Sequence, residues 1–548
     1  MRGELPEAAA RTLFGGLLAS VADEMLEALV RTAFSPNIKE RRDASTAVFD
    51  GGGRLVAQAA AIPVHLGAMP LSVEAALSAF EIWRAGDVVA LNDPFRGGTH
   101  LPDVTTVSPV FAEGGEKPVA FLAVRAHHAD VGGATPGSMP LARDIHEEGL
   151  RIPPIRLVES GQTVASVWEL ILANVRTPEE REGDLKAQIA CHRTGERRMG
   201  EAIRRYGASA LARQTEGLLD YGERLMRSAI ERVPDGEYAF EDLLDGDGAG
   251  TTRIAIRVRI EIRGDRATVD FTGSAPECPG GINAVLAVTR SAVLYAFLGL
   301  LVTPWEKGAG GLPDPPLNAG CFRPIRVVAP EGTVIHARPP RAVAAGNVET
   351  SQRIVDVVLG ALAGALPWVV PAASQGTMNN LALGGVDPRR GAPFAFYETI
   401  AGGSGATPHA DGRDAIHSHM TNTWNTPIEA LELACPLRVE RYEIRRGSGG
   451  RGEHRGGDGV VREIRALAPC TGTLLAERRC FRPYGLQGGE PGASGVDAVV
   501  RGEIREAIPA KARLDLAPGD LLSIATPGGG GWGSADDSPP ASRSGPPA

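Results

Sequence analysis

The stretch NDPFRGGTHLPDVTTVSPVF, residues 92–111, is followed by RAHHADVGGATPGSMP, residues 125–140. Together they set three histidines and several carboxylates among glycines and prolines. The strand-like DVVALND delivers the first segment as a loop in which Gly97 and Gly98 let the backbone bend. Pro102 stiffens the step between His100 and Asp103, so an imidazole and a carboxylate three residues apart can converge on one cation. FLAVRAHHAD is an apolar strand ending in His127 and His128. Neighbours on a strand point to opposite faces, so only one of the two joins such a site. Spacing alone leaves two readings open: histidines bonded to loop carbonyls, or ligands of a metal.

Working outward, apolar residues from Pro6 to about Phe34 recur at helical spacing (Leu13, Leu17, Val21, Met25, Leu29), which predicts an amphipathic helix ending near Pro36. ASTAVFDGGGRLVAQAA predicts two short strands around a glycine turn, and VEAALSAFEIW a helix. Residues 178–232, rich in charge and alanine, read as helical throughout. RIAIRVRIEIRGDRATVDFTG has the strict alternation of a half-buried antiparallel hairpin turning at Gly264 and Asp265. ETSQRIVDVVLGALAGAL predicts a second amphipathic helix, and from about Cys435 the chain becomes strand-like. The expected division is a mixed α and β lobe over 1–232, a central α+β lobe over 233–434, a strand-rich region over 435–532 and a disordered tail over 533–548.

Composition narrows the function classes. At 548 residues, 43% apolar and 22% charged, the chain is an ordinary multi-domain globular protein. A net charge of -9 does not favour a nucleic-acid surface. The six cysteines are scattered without a C-x-x-C pair, as expected in a reducing cytosol. Glu4 and Glu7 stand where an export signal is basic and then apolar, and the longest apolar run stops at Thr303 and Pro304, short of the ~20 residues that span a bilayer. A cytoplasmic protein is expected.

Other chemistry is poorly marked. His417 and His419, two apart on a possible strand, would face one side, which is ligand spacing or a hydrogen-bonded pair. Neither a P-loop nor a dinucleotide fingerprint is present, and GGSGA around Ser404 lacks the G-x-S-x-G elbow.

NDPFRGGTHLPDVT, AHHADVGGATPGSMP, HEEGLRIPP, DFTGSAP, AAGNVETSQRIVDVV, NTWNTPIEALE and SGGRGEHRGGDG, in this order, resemble the hydantoinase B / oxoprolinase family along nearly the whole chain. The resemblance implies a multi-lobed α+β fold of that family. It also implies a divided enzyme, in which a hydantoinase A-type partner binds ATP and phosphorylates a cyclic amide whose ring this chain then opens. A carboxylase subunit of the acetone or acetophenone type is the alternative, and a noncatalytic scaffold for the ATPase the alternative from another class.

By the same resemblance, Asp43 in ERRDAST, His100, Asp103 and His127 hold a divalent metal, with zinc, manganese and iron equally suited to such ligands. A bound cation lowers the pKa of its water towards ~7 and polarises a carbonyl. His128 is expected to hydrogen-bond a ligand or substrate and Asp130 to orient a ligand histidine, or both to be structural loop residues, while Glu147 and Glu148 are either candidate general bases, Glu148 foremost, or a solvated turn. Arg451 and Arg455 either meet an anionic substrate or brace their glycine-rich loop.

Overall fold

A computed structural model describes residues 7–59, 61–303 and 315–535. The expected tail after residue 535 lies outside the described residues. The first sheet is antiparallel and seven-stranded: β1 (Ala44–Asp50), β2 (Leu55–Gln58), β3 (Val88–Leu91), β4 (Asp103–Phe111), β5 (Pro118–His127), β6 (Ile155–Glu159) and β7 (Gln162–Thr163) run in the order β2-β1-β5-β4-β3-β6-β7. Both faces are covered, so its central strands are buried almost continuously. Leu122, Val124 and Ala126 point to one face, into a core shared with the helix Glu7–Thr32. Phe121 and Ala123 point to the other, against Trp83 and the helix Met69–Ala79.

The helical stretch expected over 178–232 is two helices, Pro178–Tyr206 and Ala208–Glu231, broken at Gly207, whose φ of +85° ends the first. The expected hairpin is present as β9 (Thr252–Arg263) and β10 (Arg266–Asp270), flanked by β8 (Gly236–Gly246) and β11 (Ile325–Val328). Ile254, Ile256, Val258, Ile260 and Ile262 form its buried face, over the helix Ser351–Ala365, against which the helix Leu286–Val302 packs in turn.

The helix Ser351–Ala365 differs from the amphipathic expectation. Gln352, Arg353 and Asp356 are buried along with its apolar residues, because the C-terminal sheets close over the face that would otherwise meet water. Its polar groups are met by other buried charges: Arg353 faces Asp242, Asp356 and Glu477, and Arg478 clamps Asp242 and Asp356.

The remaining strands are β12 (Asn380–Asp387), β13 (Ala392–Glu398), β14 (Leu437–Arg445), β15 (Gly459–Ala466), β16 (Cys470–Leu475), β17 (Val496–Arg501), β18 (Ile504–Ile508), β19 (Lys511–Leu516) and β20 (Leu521–Ala525). They form two sheets, β13-β12-β16-β19 and β14-β15-β20-β17-β18, around one core of residues such as Leu381, Phe396, Ile464, Leu514 and Ile524. The first of these sheets takes strands from both sides of residue 435. The fold is thus α+β, with a mixed N-terminal lobe and strand-rich central and C-terminal parts.

Glycine-rich segments stack beside this core, backbone against backbone. Gly457 N–H donates to Ser404 O (2.9 Å), Gly529 N–H to Gly457 O (2.9 Å) and Gly450 N–H to Gly529 O (2.8 Å). A Cβ on Gly403 would stand 1.9 Å from the Gly457 carbonyl oxygen, and one on Gly529 2.0 Å from that of Ser404. Arg455 braces this layer through Asp414 (2.9 and 3.2 Å), while Arg451 contributes its carbonyl to Glu490 N–H (2.7 Å). Among the described residues no helix is long and apolar enough to cross a membrane, and all six cysteines are free thiols.

Candidate metal centre

Register assembles the centre. In the β4/β5 pair Asp103 lies directly opposite His127, and in the β1/β5 pair Ala44 lies opposite Ala126. Asp43, one residue before β1, therefore falls beside His127, and His127 N–H donates to the Asp43 carbonyl (3.0 Å). Residues opposed across an antiparallel pair share a face. The turn before β4 adds His100, whose carbonyl accepts from Asp103 N–H (3.1 Å).

One oxygen of Asp103, Oδ1, stands 3.2 Å from His100 Nε2 and 3.3 Å from His127 Nδ1. The ligating atoms of these three side chains all lie within 4.8 Å of one another, and all three residues are buried. The Asp43 carboxyl is buried nearby but stands outside that threesome. Asp103 Oδ2 accepts from Thr99 Oγ1 (2.6 Å) and lies 3.4 Å from His65 Nε2. His65, on the short helix Pro63–Leu66, is fixed at its other nitrogen by Ser45 Oγ (2.8 Å).

Both ring nitrogens of His100 and Nε2 of His127 are buried without an aligned hydrogen-bond partner. Burying imidazole nitrogens without a partner is costly. A cation that takes one lone pair from each imidazole and one from Asp103 Oδ1, the atoms that already converge here, offsets part of that cost, so the donor set fits a divalent metal.

Electrostatics agree. Burial opposes ionisation of Asp103, yet the facing His100 and His65 and the contact to His127 hold its carboxyl well below the usual range. Burial pushes His127 down to about 3, so its imidazole is neutral, the form a metal binds. Asp43 is pushed up to about 7 by burial, with Arg41 pulling it down and Asp103 pushing it further up.

The other expected residues lie elsewhere. His128 turns to the opposite face of the sheet, where Nε2 meets Gln188 Oε1 (3.0 Å) on the helix Pro178–Tyr206. Asp130 ties its own turn together, accepting from Gly132 N–H (3.0 Å), Arg176 N–H (3.1 Å) and Arg176 Nη1 (3.0 Å). Glu148 Oε1 accepts from Val343 N–H (2.7 Å) and Ala344 N–H (2.9 Å), and its Oε2 is buried without a partner. Glu147 is exposed and receives Arg143 N–H (3.2 Å).

His417 and His419 do not share a strand face, because the segment is irregular and His419 has a φ of +55°. His419 Nε2 stands 3.5 Å from Asp356 Oδ1, whereas the buried nitrogens of His417 have no partner. Sequence reading missed His65, Arg41 and Tyr397. Arg125, which donates to Thr105 Oγ1 (2.8 Å) and Ser72 Oγ (2.7 Å), did carry a signal, a charge inside an apolar strand.

An antiparallel sheet inside a larger α+β body thus gathers two histidines and an aspartate at the spacing of a metal site. The profile of the Hydantoinase B/oxoprolinase family matches residues 8–535, and the chain belongs to that family. It is 37% identical to a 5-oxoprolinase of Dictyostelium discoideum over 96% of this chain and 40% of that protein. It therefore spans about two fifths of that relative's length. A B-type component of a D-/L-hydantoinase from a Pseudomonas species is 32% identical over 94% of this chain and 88% of that one. Among solved structures, the ATP-dependent caprolactamase of Pseudomonas jessenii superimposes with a TM-score of 0.89 at 29% identity, covering 98% of this chain and 93% of the other. An acetone carboxylase in its nucleotide-free state shares the fold, with a TM-score of 0.88 at 19% identity over 97% of this chain and 76% of that one.

Proposed function

We propose that this chain is the metal-dependent, ring-opening subunit of an ATP-dependent cyclic amide hydrolase, working with a hydantoinase A-type partner that binds ATP. The observation that carries this reading is the buried group of His100, Asp103 and His127, whose ligand atoms converge within 4.8 Å of one another. A divalent cation held there, with Asp43 as the neighbouring fourth ligand, supplies Lewis-acid polarisation of an activated amide and lowers the pKa of water.

The chain's own residues do the rest. Asp103 presents one oxygen to the site while Thr99 and His65 hold the other, so the carboxylate cannot turn away. His128, Asp130 and Glu148 act from their separate positions as braces, His128 on the Gln188 side chain, Asp130 on its own turn and Glu148 on the backbone at Val343 and Ala344. An apolar cavity of about 510 Å³, lined by Pro63, Leu66, Tyr295 and His419, opens beside the helix that carries His65 and suits an uncharged ring. The likeness to the B component of a hydantoinase, of which this chain covers 88%, supports a division of labour with a second subunit. The cyclic-amide reading is preferred to the carboxylase reading because likeness to the carboxylase is one of fold alone.

Elemental analysis of the chain beside His100→Ala, with hydantoin- and 5-oxoproline-dependent ATP hydrolysis assayed after adding the partner, tests this. Near-stoichiometric metal that disappears in the variant together with ring opening is expected. Full ring opening by a metal-free variant would leave the chain a supporting scaffold.

A further inference from the structure

A ligand histidine needs its ring plane fixed, and the usual device is a carboxylate or carbonyl bonded to the second ring nitrogen. His127 has no such partner, since Nδ1 faces Asp103 and Nε2 is unbonded. What lies against the ring is Tyr397, at the C-terminal end of β13, 4.3 Å between centroids with 17° between planes. Tyr397 is buried and tethered at both ends. Its hydroxyl donates to Asn380 Oδ1 (2.7 Å), and Asn380 Nδ2 donates to Glu349 Oε1 (2.9 Å) on the π-helical turn Gly346–Thr350.

The other tether closes a circuit. Arg41 Nη1 donates to the Tyr397 carbonyl (3.0 Å) and to Asn37 Oδ1, and Asn37 Nδ2 donates to the His127 carbonyl (2.7 Å). The Arg41 guanidinium also sits 5.1 Å from the Tyr397 ring centroid. Backbone and ring of His127 are thus held through one set of contacts, made by Tyr397 from the far half of the chain and by Asn37 and Arg41, in and just after the short helix Pro36–Lys39.

We propose that Tyr397 is a positioning residue for His127, fixing its imidazole plane by stacking, and that Asn380 and Glu349 hold the tyrosine in place. The C-terminal half of the chain thereby sets the metal affinity of a site whose ligands all lie in the N-terminal half. This inference rests on the metal site proposed above.

The test is Co2+ binding to the full chain stripped of metal, followed by competition with a coloured chelator and by the visible ligand-field spectrum. Tyr397→Leu is expected to weaken binding about tenfold and to alter the spectrum, and Tyr397→Phe, which keeps the stack, to weaken it about two- to threefold. Because Tyr397 is buried, Asn380→Ser serves as a second variant that releases the hydroxyl without emptying the core, with a loss like that of the phenylalanine. Thermal melting of the metal-free forms separates these effects from misfolding. Wild-type affinity and an unchanged spectrum in Tyr397→Leu would overturn the positioning role alone. Absence of Co2+ binding by the wild type would overturn this role and the metal site together.

Discussion

His65 Nε2 stands 3.4 Å from Asp103 Oδ2, the oxygen opposite the one that faces His100 and His127. The two oxygens of one carboxylate are therefore divided, Oδ1 for the site and Oδ2 for the support. His65→Gln removes the support and keeps every ligand. Metal affinity is expected to fall about 10–100-fold, read by chelator competition, with ring opening reduced in parallel. An unaltered affinity would show that Thr99 alone suffices to hold Asp103.

Glu148 couples folding to pH. Burial pushes its carboxyl up to about 8 from an ordinary 4.5, against the pull of the Ala344 and Val343 N–H groups. An acid protonated when folded and ionised when unfolded stabilises fully below 4.5 and loses that contribution as pH rises through about 8. Glu148→Gln keeps an oxygen for both N–H donors and cannot ionise. Its denaturation midpoint is expected to fall less than that of the wild type between pH 5 and pH 9, with Glu349, also raised to about 8, retaining part of the slope. Parallel profiles for the two proteins would refute the assignment.

Asp356 works in the opposite direction. Burial opposes its charge, but Arg478, His419 and Arg353 bring its carboxyl down to about 2. Its contribution is present above 3.8 and is lost as pH falls through about 2. Asp356→Asn leaves buried arginines undercompensated and is expected to cost about 3–5 kcal/mol at neutral pH. The gap from wild type should close on acidification towards pH 2, as urea unfolding at several pH values would reveal.

The glycine layer is tested by Gly403→Ala. The added methyl must displace the Gly457 carbonyl, which is itself bonded to Gly529 N–H. A loss of about 3 kcal/mol is expected, visible as a lower melting temperature. Gly502→Ala, where nothing lies within 4 Å but φ is +61°, should cost about 1 kcal/mol through backbone strain alone.

What could be read from the sequence follows the range of the interactions. The alternation of RIAIRVRIEIR gave β9 because every second side chain enters the same core, over the helix Ser351–Ala365. The opposition of His127 and His128 followed from strand geometry, and the structure sends one to Asp103 and the other to Gln188. The candidate set of Asp43, His100, Asp103 and His127 came from the family resemblance, since spacing alone left loop hydrogen bonds open, and the structure brings the last three together with Asp43 outside them. His65 was illegible because AIPVHLGAMP gives no period or partner spacing, and its role depends on where a four-residue helix docks. Tyr397 was illegible because nothing local links it to His127. The full burial of the helix Ser351–Ala365 was hidden for a related reason: its polar face is answered by charges from strands and loops far away in the chain.

The stacked glycines have a consequence for any survey of substitutions in this protein. Segments around residues 403, 457 and 529 pack through bare backbone, with carbonyl oxygens occupying the space where side chains would begin. A saturation scan will therefore mark these positions as intolerant to almost every replacement, with the same signature a ligand-binding residue gives. Only a readout that separates folded yield from turnover will tell this inert layer apart from the residues that touch the chemistry.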